Sequence, residues 1–362
     1  MAAEPYDIVV DRKNLANARL SPAPPIEIGT DQVHVRVDSY ALTANNITYG
    51  VVGDVMKYWS FYPAAVGMGR IPVWGFGTVA ASSRPDVPVG ERLYGFWPTS
   101  SDALLTIGRA TPAALTETSL HRRELAPVYN SYVRVAVDPG MQPGSEPFVS
   151  LMRPLFTTSF LIDDFLAESG FFGAGTVLIT SASSKTSIGL AYCLRQRGAD
   201  RPEVVGLTSQ RNAAFVAGLG TYDAVVTYDA LGALQARDGA AVVDVAGGEA
   251  TLRAIHSALG DALRYSCRVG FTHWQDTKPA IADLPGVQPV FFFAPDRVKA
   301  RRADWGPQDF AKRVGIASAA FVADAQRWLR IETHRGPEAI VAVYRTLLKG
   351  DARPDAGIIC VP

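Results

Sequence analysis

The sequence predicts an α/β protein in two parts: a doubly wound parallel sheet, and a β-rich domain to which both ends of the chain contribute. Three observations predict it. Val33-His34-Val35-Arg36-Val37 alternates apolar and polar side chains at period two, as a half-buried strand does. Over residues 176–270 short apolar runs alternate with amphipathic stretches of helical length, the crossovers that parallel neighbours require. Past residue 308 the chain returns to helical patterns and a last strand-like run, Gly357-Ile358-Ile359-Cys360-Val361. The expected domains are residues 1–148 with 308–362, β-rich, and residues 149–307, the parallel sheet.

Taken in order, residues 31–79 read as short strands punctuated by Pro63, Gly67, Gly69, Pro72, Gly75 and Gly77. Pro88-Val89-Gly90-Glu91-Arg92 is a turn into Leu93-Tyr94-Gly95-Phe96, whereas residues 100–130 lack periodicity and read as loop or short helix. Thr176-Val177-Leu178-Ile179-Thr180 opens the parallel part; a serine-rich turn and a helix through Ile188 to Leu194 come next. Val204-Val205-Gly206-Leu207 precedes a helix over residues 212–219, and Ala224-Val225-Val226-Thr227 is the third strand. The fourth is Ala240-Ala241-Val242-Val243-Asp244-Val245 and the fifth Ser266-Cys267-Arg268-Val269-Gly270. Helices are expected over residues 309–330 and 337–348.

The 362 residues, 48% hydrophobic and 19% charged, suffice for a large core. Thirty-five basic and thirty-five acidic residues cancel, so the field that draws a protein onto nucleic acid or an anionic membrane is missing. Neither partner is expected, and any anion site is local. Cys193, Cys267 and Cys360 are odd in number and widely separated, without the spacing of a zinc site, which points to a reduced protein. Charges interrupt every apolar stretch of the first residues, and no later run approaches the ~20 apolar residues that span a bilayer. A soluble cytoplasmic protein is expected. None of the thirteen tyrosines is followed four positions later by Lys, which removes the short-chain reductase pair, and no GxSxG elbow supports a hydrolase.

The turn after the first parallel strand, Ser181-Ala182-Ser183-Ser184-Lys185-Thr186-Ser187, lies where a helix N-terminus meets a phosphate. It lacks the glycines of GxGxxG, so hydroxyls and Lys185 would replace some backbone contacts; the alternative is a capped, solvated turn. An NAD site usually places a carboxylate at the end of the second strand, but here stand Thr208-Ser209-Gln210-Arg211-Asn212. Ser209 and Arg211 could hold the 2′-phosphate of NADP, Arg by its forked donors, or else be a helix cap and a surface Arg. The ends of the fourth and fifth strands add Ala246, Gly270, Thr272, His273 and Trp274 at the same crevice, which would be loop or packing residues otherwise.

Together these segments resemble the medium-chain dehydrogenase/reductase superfamily. Leu42-Thr43-Ala44-Asn45-Asn46 resembles its substrate loop, residues 72–79 its P-G-x-x-x-G-x-V segment, and Gly90-Glu91-Arg92-Leu93-Tyr94 its G-D-R-V turn. Residues 176–191 resemble its first Rossmann unit, and residues 337–361 its closing helix and strand. More closely, Ala44-Asn45-Asn46-Ile47-Thr48-Tyr49, residues 181–187, Gly270-Phe271-Thr272-His273-Trp274 and Phe292-Phe293-Ala294-Pro295 resemble a branch catalogued as a family of unknown function. The resemblance implies a Rossmann domain beside a GroES-like catalytic domain. The zinc-binding Cys and Gly-His-Glu of metal-dependent members are absent, Val73-Trp74-Gly75 standing in place of the latter, so the chain is similar to the zinc-free quinone-oxidoreductase and enoyl-reductase side. That likeness implies an NADPH-dependent oxidoreductase acting on a small or aromatic carbonyl, enone or quinone, with Tyr49, Asn46 and His273 as candidate polarising groups. Tyr49 and Asn46 could instead simply pin their loop. Tyr58, Trp59, Phe61, Tyr62, Trp74 and Trp97 could line a ring-accepting pocket or complete a core. The resemblance also implies a homodimer paired through the apolar run Val290-Phe291-Phe292-Phe293. The rival reading is a catalytically silent NADPH-binding sensor.

Overall fold

A computed structural model describes residues 4–236, 238–245, 248–269, 283–350 and 353–362. The chain divides into two compact units, Met1–Leu151 with Ala325–Pro362, and Met152–Asp324. The first begins with strands β1 (Tyr6–Asp11), β2 (Ala18–Pro22) and β3 (Gln32–Ala41), helix α1 (Ala44–Val51), and strands β4 (Met68–Gly69), β5 (Pro72–Ser82) and β6 (Arg92–Pro98). Strands β7 (Asp102–Ala110), β8 (Ala114–Glu117) and β9 (Ser131–Arg134) come next, then the start of helix α2 (Glu146–Glu168). The second unit adds β10 (Thr176–Ile179), α3 (Lys185–Arg195), β11 (Glu203–Thr208), α4 (Gln210–Gly218) and β12 (Ala224–Thr227). It continues with β13 (Ala240–Val245), α5 (Glu249–Leu259), β14 (Leu263–Val269), β15 (Val290–Phe292), α6 (Ala294–Trp305) and α7 (Pro307–Ala325). The chain returns to the first unit as β16 (Arg330–Arg335), α8 (Pro337–Leu348) and β17 (Ala356–Val361).

Among the described residues, the larger sheet of the first unit has the order β16-β17-β3-β5-β6-β9-β8-β7, and β3 also pairs with β7, closing a barrel. Ten residues of β3 make this possible: its first half pairs with β7 and its last two residues with β17. The period-two pattern turns Val33, Val35 and Val37 inward, where they meet Leu93, Trp97, Leu105 and Ile107. Each such buried side chain contributes roughly 1.5–3 kcal/mol. Gly75 is obligatory where β5 crosses β3, because a Cβ there would lie 2.1 Å from the Ser39 carbonyl oxygen. Residues 100–130, expected to be loop or short helix, supply β7 and β8. Ala103, Leu105 and Ile107 do alternate inward, but the exposed Leu104 between them hides the period. Strands β1, β2 and β4 form a small separate sheet that the sequence did not signal.

Among the described residues the second unit has one parallel sheet, β12-β11-β10-β13-β14-β15. Numbered within the unit this is 3-2-1-4-5-6, the doubly wound Rossmann order, and it reverses between β10 and β13. All six residues of β13 are buried, as expected of a strand covered on both faces. Helix α7 stays with this unit because Phe321 stacks on Phe156 of α2 at 4.8 Å, so the return begins at Ala325 rather than near residue 308. Among the described residues, no helix is long and apolar enough to cross a membrane.

Candidate functional site

In the second unit, the turn from β10 into α3 lies at the carboxyl edge of the sheet beside the reversal point, where such sheets bind ligands. Thr180 clamps the two strands there: its Oγ1 donates to Asp244 Oδ1 at 2.7 Å and accepts from the Val245 N–H at 2.8 Å. Ser181 has φ +48°, a left-handed backbone that costs a residue with a Cβ about 1–2 kcal/mol. The turn is held by side chains from elsewhere. The Ser181 N–H donates to Tyr228 Oη at 2.9 Å, Tyr222 Oη donates to the Ala182 carbonyl at 2.9 Å, and Asn212 Nδ2 donates to Ser183 Oγ at 3.0 Å. Ser184 caps α3, accepting the Ser187 N–H at 3.2 Å, so the capped-turn reading holds for its hydroxyl. Lys185 and Thr186 open the helix, both half-buried. Gly189 lets α3 lie against α2, since a Cβ there would fall 2.8 Å from Ser159 Oγ.

At the end of β11 the geometry separates two kinds of hydroxyl. Ser209 occupies the N-cap of α4 without a side-chain cap bond, whereas Ser184 at the corresponding place is engaged. Arg211 is exposed and has no hydrogen-bond or ion-pair partner among the described residues. The bond from Asn212 to Ser183 ties this segment to the serine turn, so Ser183 and the first turn of α4 form one surface. Sequence reasoning missed Asn212, Tyr222 and Tyr228. Ala246, Gly270, Thr272, His273 and Trp274 lie outside the described residues.

In the first unit, the segment expected to be a substrate loop forms the short helix α1. Asn46 closes its N-terminus: Oδ1 accepts from the Thr43 N–H at 2.7 Å and from Thr43 Oγ1 at 3.0 Å, while Nδ2 donates to the Pro72 carbonyl at 3.0 Å. The side chain therefore pins the helix to β5. Tyr49, one turn on, is 6% exposed, and its Oη accepts from Asn45 Nδ2 at 2.8 Å. Its ring lies 4.4 Å from Tyr58 and edge-on to Phe96 and Tyr129, and the hydroxyls of Tyr58 and Tyr129 share a hydrogen bond of 2.9 Å. Burial, reinforced by Tyr58, pushes the Tyr49 phenol well above its usual pKa, so it stays protonated.

Around this phenol packs a cluster of Tyr49, Phe61, Tyr62, Phe96 and Leu125, bordered by Tyr58, Trp74 and Tyr129. Trp74 Nε1 is buried beside the Tyr49 phenol. Of the aromatics expected to line one pocket, Tyr58, Phe61, Tyr62 and Trp74 are brought together. Trp59 and Trp97 are instead barrel core, and Trp97 Nε1 donates to the Gly75 carbonyl. Tyr129 was missed because it lies at the end of a stretch without periodicity. Beneath the cluster Arg122, 2% exposed, lies 4.4 Å over the Tyr62 ring and donates to the Phe61 carbonyl at 3.1 Å and to Tyr132 Oη at 3.0 Å. Glu117, equally buried, pairs with it at 3.4 Å. Among the described residues, no group of three or more His, Cys, Asp or Glu side chains could hold a metal ion.

Solved structures match this fold over nearly the whole chain. CurA from Vibrio vulnificus, crystallised in complex with NADPH, superposes with a TM-score of 0.62 at 13% identity, covering 98% of either chain. The quinone oxidoreductase from Coxiella burnetii gives 0.57 at 16% identity over 99% of this chain and 100% of its own. CurK enoyl reductase gives 0.55 at 13% identity over 99% of both. The shared architecture is a doubly wound parallel sheet with a β-rich companion. No curated protein matches the sequence. Residues 40–353, most of both units, match the family described as Protein of unknown function (DUF2855), and the chain belongs to that family.

Proposed function

We propose that the protein is an NADPH-dependent oxidoreductase that reduces a small or aromatic carbonyl compound, an enone or a quinone, without zinc. One observation carries the cofactor reading: at the end of β11 stand an exposed Arg211, unpartnered among the described residues, and Ser209, which makes no side-chain cap bond, with no carboxylate to repel a 2′-phosphate. The fold, shared with a protein crystallised with NADPH, supports it. Ser183, Lys185 and the N–H groups opening α3 suit the pyrophosphate, with Ser181, Ser184 and Thr186 shaping their turn. Ala246, Gly270, Thr272 and His273 enter the proposal from the sequence alone.

The nicotinamide, when bound, supplies the hydride. Negative charge then develops on the acceptor oxygen, and a neutral hydroxyl aimed at it lowers the barrier. Tyr49 is the group we assign to this, because its raised pKa keeps the proton on the phenol. Asn46 acts through α1 by fixing the helix that carries Tyr49. The burial of Tyr49 favours a second reading, a catalytically silent NADPH-binding sensor, since a sealed phenol reaches a substrate only after local movement.

Steady oxidation of NADPH across a panel of quinones, enones and aldehydes, with and without a chelator, decides between them. Turnover that survives chelation supports the enzyme. Binding without turnover supports the sensor, and loss of activity on chelation rejects the zinc-free mechanism. We also propose a homodimer paired through β15, an edge strand whose Val290 and Phe291, with the following Phe293, are 50%, 46% and 42% exposed. Sedimentation that shows only monomer at micromolar concentration rejects it. The free, buried cysteines suit the reducing cytoplasm that we assign.

A further inference from the structure

The serine turn presents a conformational problem that the rest of its unit solves. Dinucleotide-binding turns use glycine where the backbone must tighten, but here Ser181 holds the left-handed φ of +48°. Left to itself such a residue relaxes to negative φ. Its carbonyl also accepts the Ser184 N–H at 2.7 Å, so the cap of α3 hangs from the conformation of Ser181. Three consecutive residues are tied from outside: Ser181 by Tyr228, Ala182 by Tyr222 and Ser183 by Asn212. Tyr222 and Tyr228 flank the four residues of β12, so this short strand brings one hydroxyl to each of two successive residues. Tyr222 donates to a carbonyl, which could find another donor. Tyr228 is different, because it accepts the N–H of the strained residue itself.

We propose that Tyr228 is a positioning residue for the cofactor. Its hydroxyl holds a serine in the conformation that glycine otherwise provides, and thereby keeps the N–H groups that open α3 aimed at a dinucleotide phosphate. The inference rests on the NADPH reading above, and Tyr228 acts through Ser181 rather than on the cofactor.

The test uses the full chain as wild type, Tyr228→Phe, Ser181→Gly and the double variant. NADPH affinity is read by fluorescence titration, and amide hydrogen exchange over residues 181–187 is read without cofactor. Tyr228→Phe is expected to weaken NADPH about tenfold, the effect of one lost hydrogen bond, and to speed exchange in the turn. Adding Ser181→Gly is expected to restore most of the affinity, because glycine takes φ +48° without strain. A merely structural tyrosine would lower the melting temperature and show no such rescue. Unchanged affinity and exchange in Tyr228→Phe, or a double variant no better than the single one, overturns the proposal. Wild-type protein that binds no NADPH rejects the cofactor reading instead, and the exchange comparison then still decides whether Tyr228 holds the turn.

Discussion

Arg211 and Ser209 act, in the proposed function, through what they are not bonded to. A guanidinium with a carboxylate partner would have to break that pair to meet a phosphate, and Arg211 has no such partner among the described residues. Arg211→Ala is therefore expected to weaken NADPH by roughly tenfold to a hundredfold, from a charged hydrogen bond of about 1.5–3 kcal/mol, and to leave NADH nearly unaffected. Titration with both cofactors checks this; an equal loss for both rejects it. The two candidates on α1 separate by measurement as well. Tyr49→Phe should lower turnover about a hundredfold with stability close to wild type, whereas Asn46→Ala should lower the unfolding free energy by about 1–3 kcal/mol through the lost cap and the lost tie to Pro72. The place of Ser209 and Arg211 just past a strand end was legible because it follows from the apolar run before them. Asn212, Tyr228 and Tyr129 were not, because their partners lie 29, 47 and 71 residues away.

Elements set the shape of the aromatic cluster more than its composition does. The hairpin of β7 and β8 ends at Glu117, and the turn after it carries Arg122 under Phe61 and Tyr62. Both charges are withdrawn from water, so removing one leaves the other buried without its opposite charge. Arg122→Ala is expected to cost about 3–5 kcal/mol, read as a shift in the denaturant midpoint, together with altered tyrosine and tryptophan fluorescence. A loss below about 1 kcal/mol would show that the pair does not support the cluster. This hairpin was also the least legible part of the fold. Leu104 puts an apolar side chain on the exposed face, and an irregularity between Ile107 and Arg109 shifts the register, so period two is broken twice within one strand.

Across the whole molecule, burial has withdrawn many phenols and thiols from water. It pushes the Tyr6 phenol and the Cys267 and Cys360 thiols up to about 12, and holds Tyr40, Tyr49, Tyr132, Tyr222 and Cys193 well above their usual ranges. The unfolded chain releases these protons near 8.5 for Cys and near 10 for Tyr, while the folded chain retains them. Stability from this source is thus complete at neutral pH, begins to fall as pH rises through about 8.5, and falls more steeply above about 10. Melting temperatures measured from pH 7 to pH 11 should trace that decline. A flat profile would mean that these groups titrate in the folded state as they do in the unfolded chain.

The parallel half of the protein was determined by its sequence, because a strand buried on both faces is a continuous apolar run and the helix between two such strands repeats its apolar face at period 3.6. The absence of a carboxylate at the end of β11 was equally plain. Only the tertiary structure decided that β3 closes on β7, that Trp59 and Trp97 belong to the barrel core while Trp74 borders Tyr49, and that a turn without glycine is held by Tyr222, Tyr228 and Asn212. A local pattern records which face of an element meets apolar surroundings, but hydrogen bonds between distant segments depend on how the chain returns, and no periodicity encodes that.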